Sequence, residues 1–220
     1  MTVEAYVFDA YGTLFDVHAA VRRHADAIGP ASQRLSEIWR QKQLEFTWVR
    51  ALARRYRDFA SLTEEALDWA IAEVAPDRAA LKPALLEAYR HLDAYPEARD
   101  VLSRLKGRGA RTAILSNGTA AMLASAVTSA GLGGLLDAVF SADALATYKT
   151  DPAVYALAVR ELGVAPAAIS FQSSNRWDIA GAVAFGLRAV WINRTGQPDE
   201  YGDLAPVAVI PTLEGLLDLA

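Results

Sequence analysis

Six short apolar runs, separated by helical patterns, constrain the fold of this 220-residue chain more than any other feature. The runs are rich in Val, Ile, Phe and Ala, and they are AYVFDA, RTAILSN, DAVFSA, AISFQSS, RAVWINR and VAVIP. They are continuous rather than alternating, which is typical of parallel strands that are covered on both faces. Because helical stretches alternate with the runs, the pattern predicts an α/β fold with a doubly wound parallel sheet.

One connection is too long to be a simple crossover between neighbouring strands. Roughly one hundred residues of strongly helical character separate the first run from RTAILSN. They contain an amphipathic pattern over 32–59, a helix expected to open with Thr63 as its N-cap, and a further helix over 81–92. We interpret this segment as a helical cap inserted after the first strand. The predicted domains are an α/β core over 1–15 and 95–220 and a cap over 16–94.

Composition and charge exclude several classes of protein. The formal net charge is -4 and Lys and Arg form no cluster that could neutralise phosphates, so we expect no nucleic-acid partner. The chain has no cysteine, which excludes disulfides and thiolate metal sites. No apolar stretch is long enough to span a bilayer, and MTVEAYVFDA does not read as a signal peptide. We therefore expect no membrane partner and a cytoplasmic location.

Polar side chains follow four of the six apolar runs. In an open parallel sheet, ligands bind beyond the carboxyl ends of the strands, so these side chains are expected to meet at one rim. They are Asp9 after the first run, Ser116 and Asn117 after the second, Lys149 beyond the third, and Ser173, Ser174, Asn175 and Asp178 after the fourth. Each of them alone is unremarkable, because strands are usually followed by polar turns. Their joint occurrence indicates a site.

The charges at this rim predict a nucleophilic carboxylate. Asp9 and Asp178 would repel each other, and Lys149 between them would hold both as carboxylates. An ionised aspartate aimed by a tight turn is a competent nucleophile. Thr13 and Ser116 could orient its second oxygen, while the other carboxylate activates water.

The residues at these strand ends resemble a known pattern. FDAYGTLFD, ILSNG, YKTDP and SSNRWD, in this order, resemble the haloacid dehalogenase superfamily, and within it the L-2-haloacid dehalogenases. The resemblance covers nearly the whole chain, including WRQKQLEFTWVR in the predicted cap and WINR near the end. It implies a Rossmann-type core with a cap, and hydrolytic removal of halide from short L-2-haloalkanoic acids through an aspartyl ester, giving D-2-hydroxy acids. It also implies a small 2-haloacid as substrate and a homodimer.

The resemblance assigns roles to individual residues. The catalytic set is Asp9, Lys149, Asp178, Thr13, Ser173 and Asn175. The set that contacts substrate or halide is Tyr11, Arg40, Leu44, Phe59, Ser116, Asn117, Tyr155 and Trp177. Asp9 attacks carbon, Asp178 activates water and Arg40 receives the departing halide. Ser173 is favoured over its neighbour Ser174 by the alignment.

Tyr11 distinguishes this pattern from that of the related phosphatases. Phosphatases of the superfamily usually carry a second aspartate at this position, which protonates the leaving group and helps bind magnesium. Halide leaves without a proton, and SSNRWD contains a single acid, so we expect no metal and no cofactor. Two positions depart from the family. Thr150 replaces a usual proline, for which we expect a local backbone change, and Arg176 adds a cation near the acids.

Other functions share parts of this pattern. One is a magnesium-dependent phosphatase on the same fold, and another is a hydrolase that opens a strained cyclic amine by the same aspartate attack. A third is a non-catalytic binding or structural relative. Without the resemblance, Arg40 would be interpreted as an exposed helix residue and Tyr155 could belong to the core. Residues such as Leu44, Phe59 and Trp177 are more often packing residues.

Overall fold

A computed structural model describes residues 3–219 and contains one six-stranded parallel sheet. The strands are β1 (Ala5–Phe8), β2 (Arg111–Ser116), β3 (Ala138–Ser141), β4 (Ile169–Ser173), β5 (Arg188–Ile192) and β6 (Ala208–Ile210). Their order across the sheet is β3-β2-β1-β4-β5-β6, and each neighbouring pair is parallel. All six predicted runs form strands, which confirms the predicted fold class.

The sheet is covered by helices on both faces. Successive side chains of a strand point to opposite faces. Tyr6 and Phe8 accordingly belong to one apolar cluster, whereas Ala5 and Val7 belong to a second. The core helices are α6 (Ala98–Gly107), α7 (Ala120–Ser129), α8 (Pro152–Leu162), α9 (Arg176–Phe185) and α10 (Leu216–Leu219). Burial on both faces explains why the runs are continuously apolar.

The strand order places the central strand where ligands bind. The chain order reverses between β1 and β4, and clefts in doubly wound sheets form at such switch points. Phe8 is paired with Ile114 of β2 and with Gln172 of β4. The residues that follow these three strands therefore emerge side by side.

Within the described residues, five α-helices lie between β1 and α6, in the segment predicted to be a cap. They are α1 (Ala19–Arg22), α2 (Ala25–Ile28), α3 (Ser32–Leu52), α4 (Phe59–Val74) and α5 (Lys82–Arg90). The two connections to the core run beside each other, with hydrogen bonds from the Asp16 backbone nitrogen to Asp93 O at 2.9 Å and from Tyr95 to Leu14 O at 2.9 Å. In the described part of the chain, no helix combines the length and apolarity needed to cross a membrane.

Two predicted helix boundaries in this segment are wrong. The pattern over 32–59 is not one helix, because α3 ends at Leu52 and Arg54 adopts a left-handed φ of 54°, a common helix-ending conformation. Thr63 is not the N-cap of α4. Asp58 takes that place, with extended backbone and a side chain that accepts a hydrogen bond from Ser61 N at 2.9 Å. Because this cap lies five residues earlier, α4 begins at Phe59.

Candidate active site

Three charged side chains meet at the carboxyl ends of the central strands. Lys149 Nζ donates to Asp9 Oδ1 at 3.0 Å and to Asp178 Oδ2 at 2.8 Å. The exposed fractions are 1% for Lys149, 0% for Asp178 and 6% for Asp9. Charges this far from water require partners, and the ammonium supplies one to each carboxylate.

Burial and the attraction between opposite charges shift the pKa values of this cluster in opposite directions. Burial lowers the pKa of Lys149, but the attraction of Asp178 and Asp9 outweighs it, so the pKa is raised overall and the ammonium stays protonated. Burial raises the pKa of Asp178 to about 6, against the opposing effect of Lys149 and with a further contribution from Asp9. Asp178 is therefore a carboxylate at neutral pH and a stronger base than an ordinary aspartate.

The second oxygen of Asp9 accepts hydrogen bonds from three side chains. Asn175 Nδ2 donates to Asp9 Oδ2 at 2.8 Å, Thr13 Oγ1 at 3.2 Å and Ser173 Oγ at 3.4 Å. The structure therefore places the hydroxyl of Ser173 on Asp9, whereas Ser174 donates its backbone nitrogen to Thr13 Oγ1 at 2.8 Å. These donors fix the orientation of the Asp9 carboxylate.

A tight turn returns the chain so that Thr13 can reach Asp9. Gly12 has a φ of 94°, which a residue with a side chain rarely adopts, and its nitrogen donates to Phe15 O at 2.7 Å. Ala10 O accepts from the nitrogens of Leu14 at 2.9 Å and Phe15 at 3.0 Å. The turn immediately follows β1, so the strand end and its glycine together position the Asp9 carboxylate.

Tyr155 contacts the second acid of the cluster. Its hydroxyl donates to Asp178 Oδ1 at 2.8 Å and approaches Asp178 O at 3.1 Å. Burial and the neighbouring Asp178 charge raise the pKa of Tyr155 well above its usual range, so the hydroxyl remains a neutral donor. The resemblance implies a substrate or halide contact here, whereas the structure places the hydroxyl on Asp178.

The residues after β2 shape the backbone of the site. Asn117 Oδ1 accepts from the backbone nitrogen of Lys149 at 2.9 Å, and Ser116 Oγ accepts from Gly118 N at 3.1 Å. A Cβ on Gly118 would lie 2.6 Å from a ring carbon of Tyr11. Gly118 therefore allows the Tyr11 ring to lie against this turn.

Aromatic rings contributed by both segments pack beside the cluster. The Tyr11 ring centroid lies 5.8 Å from that of Phe59 and 5.6 Å from that of Tyr89, on which it stacks. Trp177 makes an edge contact with Trp48 at 5.5 Å. Leu44 is half-buried on α3, one turn after Arg40. The sequence predicts no site role for Tyr89, which no motif includes, or for Trp48, which lies in WRQKQLEFTWVR but looks like a packing residue there.

Arg40 connects the helical segment to Asn175, and through it to Asp9. Its Nη2 donates to Tyr11 O at 3.1 Å and to Asn175 Oδ1 at 3.3 Å, while Nη1 donates to Gln43 Oε1 at 2.7 Å. Asn175 in turn binds Asp9. The guanidinium is therefore a fixed positive charge at the edge of the site, suited to an anion.

The two positions that depart from the family pattern lie outside this cluster of charges. Arg176 is buried and its Nε donates to Asp199 Oδ1 at 2.6 Å, so its charge is balanced away from Asp9 and Asp178. The peptide bond between Lys149 and Thr150 is cis.

The donor set does not fit a magnesium ion. Within residues 3–219, no three His, Cys, Asp or Glu side chains are placed together as metal ligands. Tyr11 occupies the position of a second acid, and the Lys149 ammonium lies between the two carboxylates that are present. Magnesium binds several oxygen ligands in octahedral geometry, which this arrangement does not offer.

Comparison with known proteins gives matches over nearly the whole chain. A family model described as haloacid dehalogenase-like hydrolase matches residues 3–186. The chain is 48% identical to (S)-2-haloacid dehalogenase 4A of Burkholderia cepacia, over 94% of this chain and 89% of that protein. A crystal structure of a dehalogenase with an intermediate complex superposes with a TM-score of 0.97 at 46% identity, covering 99% of this chain and 97% of that one. The L-2-haloacid dehalogenase of Xanthobacter autotrophicus with chloropropionic acid covalently bound gives a TM-score of 0.88 at 36% identity, covering 99% and 98%.

Proposed function

This chain belongs to the haloacid dehalogenase-like hydrolases, and on that premise we propose that it is an (S)-2-haloacid dehalogenase. It removes halide from short L-2-haloalkanoic acids by hydrolysis and gives D-2-hydroxy acids. The identity to relatives of that name and the likeness to a structure with a covalently bound haloacid support this proposal. The observation that carries it is the bridge from Lys149 to Asp9 and Asp178.

In the first step, Asp9 displaces the halide. A carboxylate oxygen forms a bond to C2 of the substrate while the bond from C2 to halogen breaks, and the electron pair leaves with the halide. Oδ2 is held by Asn175, Thr13 and Ser173, which leaves Oδ1, bound by Lys149, as the attacking oxygen. Attack from behind inverts C2. The Arg40 guanidinium receives the anion, so no proton donor is needed.

In the second step, water hydrolyses the ester. Asp178 accepts a proton from water, which attacks the carbonyl carbon of the Asp9 ester. Negative charge then develops on Oδ2, where the donors from Asn175, Thr13 and Ser173 are already in place. The bond between the Asp9 carboxyl carbon and Oδ1 breaks, Oδ1 leaves on C2 as an alkoxide that takes up the proton from Asp178, and the water oxygen completes the regenerated Asp9 carboxylate. The product hydroxyl oxygen therefore originates from Asp9.

Halide release from the two enantiomers of 2-chloropropionate, with EDTA present, tests the proposal. We expect chloride and D-lactate from the L enantiomer. Single turnover in heavy-oxygen water should place the label in Asp9 and not in the lactate, as the two-step route requires. A folded enzyme that releases no halide from any 2-haloacid contradicts the proposal, and label in the first lactate formed contradicts the ester.

The alternative reactions are separated by substrate. A phosphatase would need a second acid near Asp9, where Tyr11 lies, and a phosphatase screen with and without Mg²⁺ tests that reading. Opening of a strained cyclic amine would use the same nucleophile, so only a substrate panel that includes such amines distinguishes it from dehalogenation. A non-catalytic relative would have no turnover to abolish, so Asp9→Asn would change only its affinity for the ligand.

A homodimer is proposed as the assembly. Large apolar side chains are exposed on the cap helices, with exposed fractions of 58% for Val49, 86% for Leu52 and 41% for Trp69, and a second copy could cover them. Light scattering during gel filtration should give twice the mass of 23.7 kDa, and a monomeric mass would contradict this. The cytoplasmic location expected from the sequence is likewise a prediction, which cell fractionation tests.

A further inference from the structure

The side-chain amide of Gln43 is buried next to the Arg40 guanidinium. Gln43 is 1% exposed and lies three residues after Arg40 on α3. Its Oε1 accepts from Arg40 Nη1 at 2.7 Å. Its Nε2 donates to Thr63 Oγ1 on α4 at 2.7 Å and to the hydroxyl of Tyr89 on α5 at 3.1 Å. One amide therefore joins three cap helices to the arginine at the site.

Thr63 determines which way this amide faces. A hydroxyl has a single proton, and Thr63 Oγ1 donates it to the backbone oxygen of Phe59 at 2.7 Å. Thr63 must therefore accept from Gln43, so the amide atom that faces it is the nitrogen. The carbonyl oxygen then faces Arg40, where the cation requires an acceptor.

The hydrogen bond to Gln43 is the shortest of those that the Arg40 guanidinium makes. Its contacts with Tyr11 O at 3.1 Å and with Asn175 Oδ1 at 3.3 Å are longer than the 2.7 Å contact with Gln43. A cavity of about 10 Å³ lies beside it, lined by Val17, Ser36, Trp39, Arg40, Gln43 and Tyr89. Packing therefore does not enclose the guanidinium completely, and the Gln43 amide provides its shortest hydrogen bond.

We propose that Gln43 is a positioning residue for Arg40 and that Thr63 acts through it by fixing the orientation of the amide. A series of hydrogen bonds runs from Phe59 O through the Thr63 hydroxyl and the Gln43 amide to the Arg40 guanidinium. It directs one positive charge to the place where halide departs. This inference rests on the proposed function, because the role of Arg40 toward halide does. Neither Gln43 nor Thr63 needs to touch the substrate.

The displacement step measured with two leaving groups tests the proposal. Chloride is a poorer leaving group than bromide and depends more on support by Arg40. In single turnovers, Gln43→Met should slow chloride release from L-2-chloropropionate about tenfold and bromide release from L-2-bromopropionate about threefold, since a charge-assisted hydrogen bond is lost. Thr63→Val should change the ratio of the chloride release rate to the bromide release rate in the same direction. Thr63→Ser, which keeps the hydroxyl, should bring this ratio back to within about twofold of the wild-type value.

A buried control separates positioning from general loosening. Ile71→Val shortens a buried side chain on α4, eight residues after Thr63, that lines no part of this cavity. It should lower the melting temperature without changing the ratio of chloride to bromide release. An unchanged ratio in Gln43→Met, an equal change in Ile71→Val, or failure of Thr63→Ser to rescue overturns the inference. Absence of halide release from the wild-type enzyme would instead contradict the proposed function.

Discussion

Tyr11 occupies a position where chemistry with a poorer leaving group would require an acid. A departing halide is a stable anion and needs no proton, so a second carboxylate next to Asp9 would only add repulsion. Burial, with smaller contributions from Tyr89 and Asp9, raises the pKa of the Tyr11 hydroxyl well above its usual range, so this side chain stays neutral. The ring instead stacks on Tyr89 and supplies an apolar wall.

The nucleophile is tested by Asp9→Asn, which keeps the size of the side chain. An amide has no negative oxygen for the attack on C2, so halide release should fall to below about one thousandth of the wild-type rate. Ion chromatography measures the halide, and circular dichroism checks that the variant is folded. Residual activity near the wild-type level in a folded Asp9→Asn enzyme would assign the nucleophile to another residue.

The base is tested by the pH dependence of ester hydrolysis. Because the pKa of Asp178 is raised to about 6, its carboxylate is present above this pH and is lost as the pH falls through it. The rate should drop about tenfold for each pH unit below 6. The hydrogen bond from Tyr155 lowers this pKa, so Tyr155→Phe should move the acid limb to higher pH. Rates of ester hydrolysis measured from pH 4.5 to 8 in the wild-type and Tyr155→Phe enzymes test this. If the rate falls at the same pH in both enzymes, the assignment of Asp178 as the base is contradicted.

The elements of this fold differ in how well the sequence predicts them. The strands follow from continuous apolar runs, and Asp9, Lys149 and Asp178 follow from the rule that parallel strands end at one edge. The start of α4 was missed because Asp58 and Thr63 are both good capping residues, and local sequence does not decide between them. Gln43 and Tyr89 were missed because their partners come from separate helices, and at their positions they look like packing residues.

Packing between α8 and α9 gives a prediction at Gly181. A Cβ at this position would lie 2.5 Å from the Tyr155 hydroxyl and 2.8 Å from Thr150 Cβ, so the helices come this close only with glycine. Gly181→Ala should destabilise the protein by about 1–3 kcal/mol through overpacking. It should also move the acid limb of the pH profile upward, as in Tyr155→Phe, because the hydroxyl is pushed from Asp178.

Gly107 on α6 offers a matched control for this substitution. A Cβ there meets no atom within 4 Å, so Gly107→Ala should leave the pH profile unchanged and stabilise the protein slightly, by up to about 1 kcal/mol, through helix propensity. Urea unfolding and the same pH series compare the two variants. If Gly181→Ala were as stable and as active as Gly107→Ala, the close approach of Tyr155 would not matter for catalysis.

The whole molecule forms a site that neither segment completes alone. Asp9, Lys149 and Asp178 come from the α/β core, whereas Arg40 and Phe59 come from the inserted helices. Asp9 is 6% exposed in this arrangement, so we expect substrate to enter when the helical segment moves. Contacts across the two segments should therefore set the balance between substrate binding and release.

Tyr56 tests this balance, because it reaches across from the helical segment to the core. Its hydroxyl donates to Asp143 Oδ1, and beside it the Tyr148 hydroxyl of the core donates to Arg57 O. Tyr56→Phe removes the first of these bonds and should favour the open arrangement. A hydrogen bond to a carboxylate is worth about 1.5 kcal/mol or more, so the open arrangement should be populated about tenfold more often and the association rate of L-2-chloropropionate should rise by about the same factor.

Hydrogen exchange of residues 10–16, which lie under the helical segment, should accelerate in Tyr56→Phe because the closed arrangement is less populated. Tyr201→Phe is the control, since it removes the hydroxyl of a tyrosine that lies between β5 and β6 of the α/β core and is 45% exposed. It should leave both the association rate and exchange unchanged. Faster exchange without faster association would mean that opening does not limit binding, and unchanged association with unchanged exchange would mean that Tyr56 does not hold the two segments together.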